Sequence, residues 1–151
     1  MVEAYLDIET SGLSADYHDI TVIGVYRVEG GDTRFVQLVG EDVTDKALLE
    51  VLDGVGTIYT YNGKRFDLPF IRSRIGVDLE AEFSHCDLMY DCWRQQLKGG
   101  LKVVEARLGI RRQLTEVDGF MAVRLWWDYD NNANAQALRT LLEYNKEDIV
   151  N

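Results

Sequence analysis

Regular alternation marks the stretch VEAYLDIET at residues 2–10, near the start of the chain. Every second residue is apolar up to Ile8, which predicts a β-strand with one face in a core. The opposite face ends in Asp7 and Glu9. Residues two apart on a strand point the same way and lie about 6.5–7 Å apart along it. Two carboxylates therefore project together from the end of an otherwise apolar element.

Predicted strands and helices alternate along the rest of the chain. Strands are expected at 20–28 and 34–39, joined by a turn at 29–32 into a hairpin, and at 57–61 and 83–86. Helices are expected at 44–53, 67–75, 88–97, 101–108, 119–129 and 135–150, with a loop at 131–134 before the last one. We expect one α/β domain over residues 1–151, with a mixed sheet flanked by helices and its first three strands antiparallel.

Composition limits the classes of protein to consider. A hydrophobic content of 46% is enough for a real core, and the sequence suggests neither a transmembrane helix nor a signal peptide. Cys86 and Cys92 fit no zinc or redox spacing, so we expect two reduced thiols in a cytoplasmic protein without a membrane partner. The net charge of −10 argues against strong non-specific binding of nucleic acid. Bound divalent cations would cancel part of that charge.

Two further acids stand at the ends of predicted elements. Asp67 lies in YNGKRFDLPF, residues 61–70, and Asp148 ends YNKED, residues 144–148. A carboxylate at a helix C-terminus is disfavoured by the helix dipole, which suggests that Asp148 is kept for a cation. Hard divalent cations prefer oxygen clusters, and pairs of such ions serve in-line attack on phosphate esters. One stripe of the last helix leads into this site; its residues are Ala137, Leu141, Tyr144 and Asp148.

Each acid also has a simpler interpretation when it is taken alone. Asp67 suits a helix N-cap. Asp7 and Glu9 suit the solvated face of an edge strand. Tyr144 and Asp148 suit an ordinary helix surface. The three phrases together and in this order favour a metal site.

The three phrases resemble the motifs of the DEDD exonuclease superfamily, which has the RNase H-like fold. They are DIETSGL at 7–13, NGKRFD at 62–67 and YNKED at 144–148. The third has the form with Tyr four residues before Asp, known as DEDDy, and neither histidine lies five residues before an Asp. The chain is most similar to YprB-type RNase H-like domains and to the proofreading exonuclease domain of family B DNA polymerases. HCDL at 85–88, LKVVE at 101–105 and LGI at 108–110 extend the YprB-type resemblance.

The resemblance implies a metal-dependent 3′–5′ exonuclease that acts on the 3′ ends of single-stranded DNA or RNA and releases nucleoside 5′-monophosphates. It implies two Mg²⁺ or Mn²⁺ ions, with Tyr144 orienting the attacking water. The implied ion ligands are Asp7, Glu9, Asp67 and Asp148. The implied substrate contacts are the backbone at Thr10, the side chain of Leu13, and Asn62 near the scissile bond. Lys64, within the second motif, is a candidate phosphate contact.

Two other functions remain open at this stage. The acidic composition and small size suit a non-catalytic RNase H-like binding or scaffold module of a larger assembly. They also suit a phosphodiesterase for oligonucleotides or dinucleotides. The sequence stops three residues after Asp148, where family members often continue, so a fragment, a partner protein and a stand-alone minimal domain all stay open. The choice between DNA and RNA depends on contacts to a 2′-hydroxyl, which no motif reveals.

Several residues outside the motifs have two interpretations. Trp126, Trp127 and Tyr129 suit base stacking, but their helical spacing is more typical of a core or a partner surface. Arg111 and Arg112 suit either phosphate contacts or solvated charge. Asp87 suits an acid that supports a metal ligand, although a helix N-cap is the expected role.

Overall fold

The computed structural model describes residues 1–114 and 117–150. Five strands form one sheet; they are β1 (Val2–Thr10), β2 (Ile20–Glu29), β3 (Asp32–Val39), β4 (Thr57–Thr60) and β5 (Ser84–Asp87). Their order across the sheet is β3-β2-β1-β4-β5. The pairs β1–β2 and β2–β3 are antiparallel, whereas β1–β4 and β4–β5 are parallel. The predicted mixed sheet, with three antiparallel strands first, is confirmed.

Seven α-helices are found in the described part of the chain. They are α1 (Asp45–Val51), α2 (Asp67–Ile75), α3 (Leu79–Glu82), α4 (Leu88–Arg94), α5 (Leu101–Arg107), α6 (Gly119–Asn132) and α7 (Ala135–Val150). The sequence prediction missed α3, whose four residues are too few to show a helical period. The predicted loop at 131–134 is wrong at its start, because α6 continues to Asn132 and ends where Ala133 adopts a left-handed φ of 53°. Between Met1 and Val150, apart from the undescribed pair 115–116, no helix is both long and apolar enough to span a bilayer.

The two faces of the sheet carry separate cores. One buried cluster joins β1, β2 and β4 to α1 and α2, with Ile23, Leu48 and Ile71 all fully buried. A smaller cluster on the other face joins β2 to α6 and α7 through Val22, Ala122 and Leu141, among others. The predicted layer of helices on each side of the sheet is therefore present.

Strand β1 lies inside the sheet, between β2 and β4. The interpretation of Asp7 and Glu9 as the solvated face of an edge strand is consequently wrong, and Glu9 is buried. Asp7 pairs with Gly24 on β2. A Cβ at Gly24 would lie 2.2 Å from Asn145 Oδ1, so glycine at this position is what allows α7 to approach the sheet beside Asp7.

The parallel strands place their chain ends at one edge of the sheet. Because β1, β4 and β5 run in the same direction, the residues that follow them gather at the edge where each strand ends. Glu9 lies near the end of β1, the turn that leads to Asp67 follows β4, and Asp87 ends β5. Three separate segments therefore deliver acids to one edge.

Candidate active site

Three of the predicted acids form a cluster where β1 meets α7. Asp7, Glu9 and Asp148 each offer one carboxylate oxygen, and these oxygens all lie within 4.8 Å of one another. Alternation along β1 explains why Asp7 and Glu9 point to the same side. Helix α7 lies across that face of β1 and β2, which brings its last turn to the same point.

Asp67, the fourth acid, joins the cluster from the first turn of α2. Its Oδ2 accepts a hydrogen bond from the backbone N–H of Ile8 at 3.0 Å, and the residue is only 3% exposed. The prediction that Asp67 caps α2 is wrong, because Phe66 is at the N-cap position and makes no side-chain capping bond. Among the neighbouring charges, the Asp67 carboxyl raises the pKa of Asp7 the most. The fold thus brings all four predicted acids together.

Burial and mutual repulsion both favour the protonated forms of these acids. Burial is the main cause that raises the pKa of Asp7 and of Glu9, and the neighbouring carboxylates raise both values further. Burial likewise raises the pKa of Asp67 to about 7, although the hydrogen bond from Ile8 opposes the shift. Such a group of acids is stable in its charged form only if cations neutralise it.

The donor set fits divalent cations. Glu9 Oε1 is buried without a hydrogen-bond partner among the described residues, and a buried polar atom of this kind normally has one. All the converging side-chain donors are carboxylate oxygens, the ligands that Mg²⁺ and Mn²⁺ prefer. Asp7, Glu9, Asp67 and Asp148 are therefore the residues that could hold such ions.

A buried guanidinium already meets one of these acids. Arg112 Nη1 donates to Glu105 Oε1 at 2.6 Å, and its Nη2 donates to Asp148 Oδ1. Burial raises the pKa of Asp148, and Arg112 opposes that change. The Arg112 side chain is only 5% exposed and pairs with two carboxylates, so both interpretations of Arg112 from the sequence, a phosphate contact and a solvated charge, are wrong. Nothing in the sequence indicated the ion pair between Arg112 and Glu105. The helical spacing predicted that Leu108 lies on the buried face of α5, but Leu108 is exposed and Glu105 is buried.

Tyr144 lies one helical turn before Asp148 and is buried, as the predicted stripe on α7 required. Lys102 Nζ and the Arg112 guanidinium lie 5.4 Å and 5.5 Å from the centre of its ring. Burial and the nearby Asp148 carboxylate raise the pKa of Tyr144 above that of a free phenol. Its hydroxyl therefore stays protonated at neutral pH and can act as a hydrogen-bond donor.

Asn145 is a residue of the site that the sequence interpretation missed. Its side chain is fully buried, and Nδ2 donates to the backbone oxygen of Asp7 at 3.3 Å. Its Oδ1 accepts a hydrogen bond from Gln37 Nε2 at 2.9 Å. Asn145 thereby connects α7 with β1 and β3 beside the acids. Gly24 was the available signal, since an isolated glycine inside a strand often marks a close approach of another element.

The predicted substrate contacts at the first motif, Thr10 and Leu13, line a cavity that begins at Glu9. Its volume is about 830 Å³, and Glu9, Thr10, Leu13, Phe66 and Phe120 are among the residues that line it. Leu13 is 76% exposed and Phe120 is 79% exposed. Because apolar side chains surround a space that starts at a carboxylate, the cavity can accept a flat apolar group attached to a charged one.

The second motif forms a tight turn held by Asp87. Asp87 accepts backbone hydrogen bonds from Asn62 at 2.8 Å and Lys64 at 3.2 Å. It also caps α4 by accepting from Met89 N–H, which confirms the expected N-cap. Asn62 has a left-handed φ of 64°. The Lys64 residue lines a separate cavity with His85 and Asp87, so the structure does not bring Lys64 into the cavity that begins at Glu9.

The tryptophans of α6 contribute to packing. Trp126 packs against the second core cluster. Trp127 is 41% exposed, and its Nε1 donates to the backbone oxygen of Ser11 at 3.1 Å. These contacts attach α6 to the loop after β1, in agreement with the structural interpretation of the aromatic cluster.

Comparison with known proteins places this geometry in a family. Residues 4–151 match the family described as the RNase_H superfamily. The uncharacterized protein YprB of Bacillus subtilis (strain 168) is 29% identical over an alignment that covers 97% of this chain and 39% of YprB. The chain thus spans well under half the length of this relative.

Two solved structures share the fold. The family B DNA polymerase of the archaeon Pyrobaculum calidifontis superposes with a TM-score of 0.72 at 15% identity, over 99% of this chain and 23% of the polymerase. Brucella melitensis NrnC bound to pGG superposes with a TM-score of 0.55 at 20% identity, over 78% of this chain and 57% of NrnC. Together with the family match, these superpositions confirm the RNase H-like fold.

Proposed function

The chain belongs to the RNase_H superfamily, and from this premise we propose that it is a 3′–5′ exonuclease of the Tyr-containing DEDD branch. The substrate is a single-stranded DNA or RNA 3′ end, and the product is a nucleoside 5′-monophosphate. Residues 1–151 act as one exonuclease domain in this proposal.

The observation that carries the proposal is the cluster of four acids at one edge of the sheet, two of them buried and two partly buried. Oxygens of Asp7, Glu9 and Asp148 lie within 4.8 Å of one another, and the nearby Asp67 carboxylate raises the pKa of Asp7. A binding module has no need for four converging carboxylates, of which Glu9 and Asp67 are buried, because a buried charge is costly to desolvate. A phosphodiesterase needs them, because they can hold two cations at the scissile phosphate.

Each residue of the cluster has a distinct part in the proposed reaction. Asp7, Glu9, Asp67 and Asp148 would hold two Mg²⁺ or Mn²⁺ ions. The chemistry that such ions supply when bound is activation of a water and stabilisation of the leaving 3′-oxygen. The protonated hydroxyl of Tyr144 orients that water as a hydrogen-bond donor. Water adds to phosphorus and loses a proton to solvent, the bond between phosphorus and the 3′-oxygen breaks, that oxygen takes up a proton from solvent, and the terminal nucleotide leaves as a 5′-monophosphate.

The cavity beside Glu9 supports a substrate with a free end. At about 830 Å³ it lies within the size range of small-molecule pockets. Leu13 and Phe66 offer apolar contacts for the terminal base, and the backbone at Thr10 offers polar contacts for its sugar. Asn62 is proposed to lie near the scissile bond, and Lys64 to meet a phosphate farther along the strand.

The test is degradation of a single-stranded oligonucleotide that carries a label at its 5′ end. The wild-type protein with Mn²⁺ should produce a ladder that shortens from the 3′ end, while EDTA or the Asp7→Asn variant should abolish it. An Asp53→Asn variant, altered at an exposed residue just after α1, should degrade the strand normally. Intact DNA and RNA after incubation with folded wild-type protein and Mn²⁺ would exclude the exonuclease and favour a non-catalytic module.

A second candidate, a phosphodiesterase for short oligonucleotides or dinucleotides, is favoured by the net charge of −10. Lys and Arg number 16 against 26 Asp and Glu, so the chain has little basic surface with which to bind the phosphates of a long strand. Rates measured on strands of increasing length, starting from a dinucleotide, distinguish the two candidates. A rate that rises with length supports the exonuclease, whereas a rate highest for the dinucleotide supports the alternative.

A further inference from the structure

The end of α7 that carries Asp148 is fastened by the segment that follows α5. Glu147 accepts hydrogen bonds from the backbone N–H groups of Gln113 at 2.7 Å and Leu114 at 2.8 Å. In the same segment, Arg112 donates to Asp148 Oδ1. Two neighbouring acids of the third motif therefore bind three consecutive residues, 112–114.

Arg112 is enclosed, and it is shared between two carboxylates. Its side chain is 5% exposed, that of Glu105 is 4% exposed and that of Asp148 is 13% exposed. The planar guanidinium presents its N–H groups in a fixed fork, so it can hold two carboxylates in defined positions. Because the group is this deeply buried, it has no access to a substrate and must act on its neighbours.

Glu105 neutralises the charge of Arg112. Arg112 Nη1 donates to Glu105 Oε1 at 2.6 Å, and Arg112 Nη2 donates to Asp148 Oδ1. The pair Arg112–Glu105 has no net charge, so it does not by itself reverse the negative potential of the acid cluster. Arg112 holds only Oδ1 of Asp148, and a carboxylate has a second oxygen that remains available to a cation.

We propose that Arg112, held in place by Glu105, is the positioning residue of the third motif. It would fix Asp148 Oδ1 and leave the second carboxylate oxygen free for a cation that Asp7, Glu9 and Asp148 would hold together. The helix dipole disfavours a carboxylate in the last turn of α7, and the guanidinium offsets that repulsion. The same guanidinium lies 5.5 Å from the ring centre of Tyr144, so it orders both functional groups of the motif.

This inference rests on the divalent-ion site proposed above, and its test measures ion binding instead of cleavage. The main variant is the double substitution Arg112→Leu with Glu105→Leu. It removes one positive and one negative charge, so the net charge of the site is unchanged, and it leaves no member of the Arg112–Glu105 pair buried alone. Isothermal titration with Mn²⁺ should show affinity reduced by roughly 10- to 100-fold, the usual effect of losing a group that orients a metal ligand.

Two further variants separate positioning from a general structural role. Arg112→Lys keeps the charge but loses the fork, and should bind Mn²⁺ with an affinity between those of the wild type and the double variant. Arg94→Gln with Asp91→Asn removes an exposed ion pair and should leave the affinity unchanged. Melting curves in EDTA identify any variant that fails to fold.

The outcomes are distinct. A folded double variant that binds Mn²⁺ as tightly as the wild type, or more tightly, would overturn the positioning role and show that Arg112 is neutral or competes with the ion. Wild-type protein that binds Mn²⁺ without cleaving any strand would refute the proposed exonuclease activity. The positioning role of Arg112 would then still be decided by comparing the Mn²⁺ affinities of the wild type and the double variant. Wild-type protein that binds no Mn²⁺ would overturn the ion site and the role of Arg112 together.

Discussion

Replacing Asp67 with asparagine should stabilise the metal-free protein at neutral and alkaline pH. In the folded protein, burial raises the pKa of Asp67 from 3.8 to about 7. The folded state therefore keeps a proton that the unfolded chain has released. The associated stability is fully present below about pH 4 and is lost as the pH rises through about 7. An asparagine side chain has no such proton to lose, so the Asp67→Asn variant should escape this destabilisation.

The size of the effect follows from the two pKa values. Each pKa unit corresponds to about 1.4 kcal/mol, so a difference of about 3 gives an upper limit of about 4 kcal/mol at about pH 8. Since 1 kcal/mol changes Tm by roughly 2–4 °C in a chain of this size, the melting temperature should rise by at most about 16 °C. Asparagine also keeps an oxygen that can accept the hydrogen bond from Ile8.

The assay is thermal denaturation in EDTA between pH 4 and pH 8, with Asp53→Asn, at an exposed position, as the control. The stability advantage of Asp67→Asn should grow as the pH rises, and excess Mn²⁺ should stabilise the wild type more than the variant. A variant no more stable than the wild type at pH 8 would refute the reasoning, because Asp67 would then not be held protonated by the fold.

Three other substitutions test the site from different sides. Tyr144→Phe removes the water-orienting hydroxyl and should lower kcat by roughly 10²-fold, with Mn²⁺ affinity unchanged by calorimetry; equal activity would rule out the orienting role. Asn145→Ala removes the amide that accepts from Gln37 and donates to the Asp7 carbonyl, while Gln37 keeps its bond to the Leu142 carbonyl; the free energy of unfolding in urea should fall by about 1–3 kcal/mol, whereas an unchanged midpoint would contradict the connection. Gly24→Ala would place a Cβ 2.2 Å from Asn145 Oδ1, so Tm should fall and activity should weaken, while a fully active and stable variant would show that α7 can move away freely.

The sheet could be predicted from the sequence because its pattern is local. Alternation in β1 and the hairpin turn after β2 depend on neighbouring residues, and both the strands and their antiparallel pairing agree with the prediction. The stripe on α7 could also be predicted from the sequence, since residues 137, 141, 144 and 148 share a face in any helix. Local periodicity therefore predicted that Asp7 and Glu9 point to the same side and that Asp148 shares a helix face with Tyr144, whereas their assignment to one site depended on the order and resemblance of the three motifs.

The remaining features depend on contacts between distant segments. The hydrogen bond between Asp67 and Ile8 spans 59 positions, and the one between Asn145 and Asp7 spans 138. The capping interpretation of Asp67 followed from local rules, but the long-range bond overrides them. Burial of Glu105 with Arg112 was hidden for the same reason, because a charged residue on a helix is ordinarily solvated.

The most direct test of the proposed catalytic centre is the number of Mn²⁺ ions bound per chain, measured by equilibrium dialysis at pH 8 without nucleic acid or with a non-hydrolysable strand. We expect two ions for the wild type in the presence of the strand. We expect fewer for Asp7→Asn, because Asp7 clusters with Glu9 and Asp148 and lies near the Asp67 carboxylate, which raises its pKa. Wild-type protein that binds no Mn²⁺ under either condition, or an Asp7→Asn variant with undiminished binding, would contradict the claim that these four acids form the catalytic centre.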